Sequence, residues 1–136
     1  MLFDRVNSKY LDPLHEKMDK QGKITLLNQL MNNDKFDDEA WTERGLNPSN
    51  PEISQVMNQL INEIIEQITV ALEADSADET LKQIIVSELN KIDEDDFDTE
   101  ELEFLCDWYV ALASLAGVDI HNELNKFLYG ELGQLL

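Results

Sequence analysis

The stretch at 98–130, DTEELEFLCDWYVALASLAGVDIHNELNKFLYG, constrains the fold more than any other part of the chain. It reads as a capped helix, a glycine stop and a second, shorter helix. Asp98 is a good N-cap, and Glu101 three residues on completes a capping box. Glu100 and Glu101 fill the first turn, where acids complement the helix dipole. Leu102, Leu105, Cys106, Tyr109, Leu112, Ala113 and Ala116 recur at helical spacing. Phe104, Trp108, Val110, Ala111 and Leu115 take up much of the remaining circumference. A helix apolar nearly all round belongs in an interior. Gly117 supplies a left-handed stop. Asp119 is placed to cap a helix carrying Ile120, Leu124, Phe127 and Leu128, with Gly130 ending it.

A helix buried on every side needs partners, and the preceding segments supply them as helices. The loop at 46–51, LNPSNP, is strong punctuation. Pro51 then opens the longest helix, to about Glu73. Its apolar positions are Ile53, Val56, Met57, Leu60, Ile61, Ile64, Ile65, Ile68 and Leu72, in steps of three and four that predict one buried stripe. Ala74 and Asp75 form a short turn, and Ser76 with Glu79 reads as another capping box. Leu81, Ile84, Ile85, Leu89 and Ile92 mark the next helix, at 77–91. The β-branched residues have a period of 3.6 rather than 2, which excludes strands here.

The N-terminal third is less regular. Leu2, Phe3, Val6, Tyr10, Leu14 and Met18 fall near helical intervals, interrupted at Asp12-Pro13. This predicts a short helix, a break, and a second helix to about Lys20, with residues 1–24 peripheral to the domain. Gln21-Gly22 reads as a stop. A helix at 23–33 follows, with Thr25 as its cap, and KITLL leaves a strand as a weaker alternative. Residues 32–34 are turn material, and 38–44 form a short helix carrying Trp41 and closed by Gly45. The expected architecture is therefore all-α: one domain over 1–136, with five to seven helices around a central one near 99–116.

Charge is the feature most informative about function. The formal net charge is −19, unevenly placed. Residues 1–44 hold nine acids and seven bases; residues 45–136 hold 20 acids and three bases. Such a field repels nucleic acid phosphates and anionic membrane, and attracts cations or a basic protein partner. Strong charge of one sign also serves solubility alone. A single cysteine excludes an internal disulfide, and Cys106 reads as a small buried hydrophobe. No signal-peptide run or membrane span is evident, which makes a cytoplasmic protein the expectation.

Motifs for chemistry are scarce. Residues 93–107 hold nine acids and no base. A calcium loop wants oxygens at positions 1, 3 and 5, glycine at 6 and glutamate at 12. Counted from Asp96, these are Asp96, Asp98, Glu100, Glu101 and Asp107, so the glycine turn is missing; counted from Asp93, Phe97 spoils position 5. Asp93, Asp95, Asp96, Asp98 and Glu100 are thus weak metal candidates beside the reading of a solvated loop at 93–98 whose last members cap a helix. His15 and His121 lie far apart, without a ligand-spacing motif, and His121 is expected to be exposed. Neither a phosphate loop nor another cofactor motif occurs, and no catalytic set is assigned. The tryptophans and tyrosines read as packing.

DTEELEFLCDWY, LAGVDIHNELNKFLYG and WTERGLNPSNP together resemble a family of small bacterial proteins known only as a domain of unknown function. The matching positions are Asp98, Thr99, Glu100, Glu103, Cys106, Gly117, Val118, Leu128, Tyr129 and Gly130, within a resemblance over about 25–130. It implies a compact helical domain and carries no activity. The residues favour a non-catalytic interaction module that binds a basic partner, as toxin-neutralising immunity proteins do. The alternative is a small-ligand or cation binder, or an enzyme, using the carboxylates at 93–107.

Overall fold

A computed structural model describes residues 8–133, with side chains through residue 129. Six α-helices follow a 3-10 turn at Asp12–His15: α1 (Lys20–Met31), α2 (Asp38–Glu43), α3 (Pro51–Glu73), α4 (Asp78–Asn90), α5 (Thr99–Ala116) and α6 (His121–Gly133). A second 3-10 turn, Glu94–Asp96, precedes α5. No strand occurs among the described residues. The chain is all-helical, as its periodicity requires.

Helix α5 packs against α3, α4 and the first 3-10 turn, while α1 lies on α3 and α6 on α4. Phe104, Leu105, Cys106, Trp108, Tyr109, Ala111, Leu112, Ala113, Leu115 and Ala116 are all buried. Beyond the first turn, only the seam through Glu103, Asp107, Val110 and Ser114 reaches solvent, and Asp107 and Val110 do so only in part. Both predicted ends hold. Asp98 Oδ1 accepts the Glu101 amide at 2.8 Å, and Glu101 Oε1 accepts the Asp98 amide at 2.9 Å. Gly117 turns left-handed at φ 81°, a conformation costly for any residue with a Cβ. Glu101 is itself buried because its second oxygen accepts the Ser49 hydroxyl at 2.5 Å, tying the 46–51 loop to the start of α5.

Helix α3 buries Met57, Ile61, Ile64, Ile65, Ile68 and Ala71. Val56, expected in this stripe, is 42 % exposed, because the buried face runs through the neighbouring Met57 and Ile61 instead. Packed edge-to-face, Phe36 and Trp41 both meet Phe104, with ring centroids 4.8 and 4.9 Å away. These two contacts seat the 34–36 segment and α2 against the central helix.

Several local expectations are corrected. The helix expected from Asp12 to Lys20 is one 3-10 turn, ended by extended backbone at Glu16. The chain then reaches Asp19, whose carboxylate accepts the Gly22 amide at 2.8 Å and caps α1. Gly22 is therefore not a stop and Thr25 not a cap: an aspartate three residues ahead of a free amide starts a helix through the glycine. The KITLL segment is helical, not a strand. Ser76 makes no capping box, because its amide closes the end of α3 on Ala71 O at 2.9 Å and α4 begins after Ala77 without a side-chain cap. Asp75 takes positive φ in that turn, at 54°. Gly130 lies inside α6, since a glycine ends a helix only by leaving helical backbone. The short helix expected over Leu2, Phe3 and Val6 lies outside the described residues.

Leu105 and Leu112 are fully buried on α5, whereas Gln59 is exposed on α3. Either leucine changed to Ala is expected to lose about 2–5 kcal/mol through lost burial and a cavity. Gln59→Ala is expected to stay within about 0.5 kcal/mol. Urea melts check this; equal, small losses at all three sites would contradict the placement of the core.

Candidate protein interface

A groove of about 820 Å³ lies between the segment around α2 and helix α3. One wall carries Asp34, Asp37, Asp38 and Glu39; the other carries Ser54, Gln55, Asn58 and Asn62. No basic residue lines it. The acidic wall is built by local hydrogen bonding. Asp37 Oδ1 accepts the Ala40 amide at 2.8 Å and starts α2. Asp34 Oδ1 accepts the Phe36 amide at 3.1 Å and the Asn58 side-chain amide at 2.8 Å. Asn58 Oδ1 accepts the Lys35 amide in return, so α3 holds the loop from behind.

Lys35 lies beneath this wall, fully buried. Its ammonium donates to the carbonyls of Leu30 and Asn33, both at 3.0 Å, at the C-terminal end of α1, where a cation complements the helix dipole. Burial pushes its pKa down to about 8, and the Asp34 carboxylate offsets part of that. An enclosed charge pair joins the end of α2 to α5. Arg44 Nη1 donates to Asp107 Oδ2 at 2.5 Å, and its guanidinium stacks 4.3 Å from the Phe104 ring centroid. Burial holds the Asp107 carboxyl above its ordinary value, a rise that Arg44 only partly counters. Burial likewise pushes the Cys106 thiol up to about 12, which keeps it protonated and inert as expected.

The weak metal candidates are placed apart in role. Asp93 Oδ1 accepts the Asp95 amide at 2.9 Å, and Asp98 caps α5, so each has one carboxylate oxygen committed to backbone. All five of Asp93, Asp95, Asp96, Asp98 and Glu100 are exposed. Among the described residues, no three or more His, Cys, Asp or Glu side chains form a group able to hold a metal ion.

Two features escaped sequence reasoning. The acids at 34–39 are interrupted by Lys35, Phe36 and turn residues, and only Asn58, 24 residues from Asp34, makes them a wall. His15 and His121 share a cleft of about 350 Å³ with Val110, Ser114 and Asp119, because the first 3-10 turn folds over the α5–α6 elbow. His121 is exposed, as expected, and its Nδ1 lies 2.6 Å from Asp119 Oδ1.

The acidic loop generates a direct test. Millimolar calcium is expected to leave the melting temperature unchanged in both the wild type and a Glu94→Gln/Asp95→Asn double variant, because a ligand stabilises only the state it binds. A rise in the wild type that the double variant loses would place a calcium site at this loop.

Comparison with known proteins adds a family and nothing more specific. No curated protein and no solved structure matches the chain. The pattern of one family matches residues 16–132, which takes in all six helices except the last residue of α6. The chain belongs to the DUF4844 family, a domain of unknown function.

Proposed function

We propose that this protein is a non-catalytic interaction module that receives a basic protein partner in the groove between α2 and α3. The observation that carries this reading is the groove's composition: four carboxylates on one wall, amides and hydroxyls on the other, and no base among the lining residues. Every lining side chain that offers a charge offers a negative one. The net charge of −19 adds a long-range field that steers a cationic partner toward the chain and rejects nucleic acid. Asn58 and the Asp37 cap already hold the backbone of the acidic wall in place, so a partner meets a preformed surface from which only the Lys9 side chain, paired with Glu39, has to move. A partner whose own action depends on a basic surface is neutralised by such a module, in the manner of an immunity protein.

Titration with an octalysine peptide, followed by backbone amide chemical shifts, tests this. The largest shifts are expected at 34–39 and 48–62, weakening severalfold between about 50 and about 300 mM salt as the charges are screened. Asp38→Asn/Glu39→Gln should reduce the affinity at a fixed salt concentration. Shifts spread evenly over the acidic surface, or centred on 93–98, would contradict the reading.

A further inference from the structure

Three ionisable residues with charged forms at neutral pH are buried among the described residues: Lys35, Glu88 and Glu101. Glu88 accepts hydrogen bonds from Lys91 and Gln67, and Glu101 from the Ser49 hydroxyl and the Asp98 amide, so each carboxylate is met by donors that favour its charge. Lys35 is enclosed differently. Its Nζ donates to two carbonyls, Leu30 O and Asn33 O. An ammonium has three N–H groups and a neutral amine two, so this pair of acceptors matches the donors of the neutral form. Asp34 acts on the amine through its field, with its Oδ1 taken by the Phe36 amide and the Asn58 side chain. Helix α1 meets the amine with a carbonyl of its last turn, and α3 holds the Lys35 backbone through the uncharged Asn58. The Asp34 carboxylate and the end of the α1 dipole both favour the ammonium. Enclosure opposes it more strongly and brings the amine down to about 8.

We propose that the turn joining α1 to α2 is a pH-operated clasp, tight when the buried Lys35 amine is neutral and loosened when it carries a proton. The clasp belongs to the fold itself and needs no partner in the groove. Lys35 fastens the turn at two points: its amine closes on the carbonyls of Leu30 and Asn33, and its amide donates to Asn58 Oδ1 of α3 at 2.9 Å. When the turn lifts away from α3, a protonated amine regains the hydration that burial took from it, which lowers the cost of that local opening. A neutral amine regains much less. The sign of the pH dependence follows from this competition. In the opened or unfolded chain the amine titrates near its ordinary value of 10.5. Between about 8 and 10.5 that chain binds more protons than the native one, so stability rises with pH across this window. Below about 8 the full cost of enclosing the charge is present.

Side-chain carbon NMR of the wild type measures the Lys35 titration without any variant. Its Cε midpoint is expected well below that of the same carbon in urea-unfolded protein; coincident midpoints would overturn the clasp. Urea unfolding of the wild type and Lys35→Met gives the linkage. The ratio of their folding equilibrium constants is expected to rise in favour of the wild type above about pH 8, by at most about tenfold per pH unit, the limit for one proton. The other lysines and the tyrosines are common to both proteins and cancel in the ratio, so a ratio flat with pH would contradict the proposal. Amide exchange places the effect in the turn. The protection factor of the Lys35 amide is expected to stay below that of Leu105 and to rise over the same pH range in the wild type. A value constant with pH, or equal to that of Leu105 throughout, would leave no local clasp.

Discussion

The burial of α5 is the constraint on which the rest of the structure depends. Beyond its first turn the exposed seam is one residue wide, so neighbours must cover the helix from almost every direction. Helices α3 and α4 take one side, the first 3-10 turn another, and the rings of Phe36 and Trp41 close over Phe104. Each fully buried large side chain contributes about 1.5–3 kcal/mol by leaving water. The indole N–H groups of Trp41 and Trp108 and the Tyr109 hydroxyl are buried without a hydrogen-bond partner among the described residues, which costs part of that gain. Apolar burial has to outweigh these losses, and the density of aromatic and aliphatic residues on α5 is what allows it.

Polar clips then set the order of the layers around α5. Glu101 joins the capping box to Ser49, and Arg44 joins α2 to Asp107 on the otherwise open seam. The raised pKa of Asp107 shows that enclosing this pair opposes its attraction, as expected for ions taken out of water. Such a pair adds little net stability but penalises any arrangement that buries one partner alone. Glu88 follows the opposite balance. Burial favours its neutral form, yet hydrogen bonds from Lys91 and Gln67 bring its pKa below the ordinary value. With the interior committed to apolar contacts, the remaining acids are carried at the surface, and the groove wall at 34–39 is one place where they gather.

Legibility in the sequence followed the range of the interactions. The ends of α5 were readable because capping box and glycine stop are local, and the long stripe of α3 because its period is unambiguous. The failures were competitions between neighbouring local signals. Asp19 overrode the glycine at 22, and closure of α3 took the amide of Ser76 before the serine could cap α4. The candidate interface was not legible at all. Its acids are sparser along the chain than the run at 93–107, and their grouping depends on Asn58 across the fold. The proximity of His15 and His121 is likewise a product of tertiary packing, invisible in their spacing.

The central claim is that α5 is the last element to open and that the groove wall is set on it from outside. Native-state hydrogen exchange of individual amides tests this most directly. The account predicts that amides of Leu105, Trp108, Tyr109 and Leu112 exchange only with global unfolding, while those of 34–39 and α2 exchange through smaller openings that leave α5 protected. If the α5 amides exchange at lower free energy than those of α2, the central helix does not organise this fold.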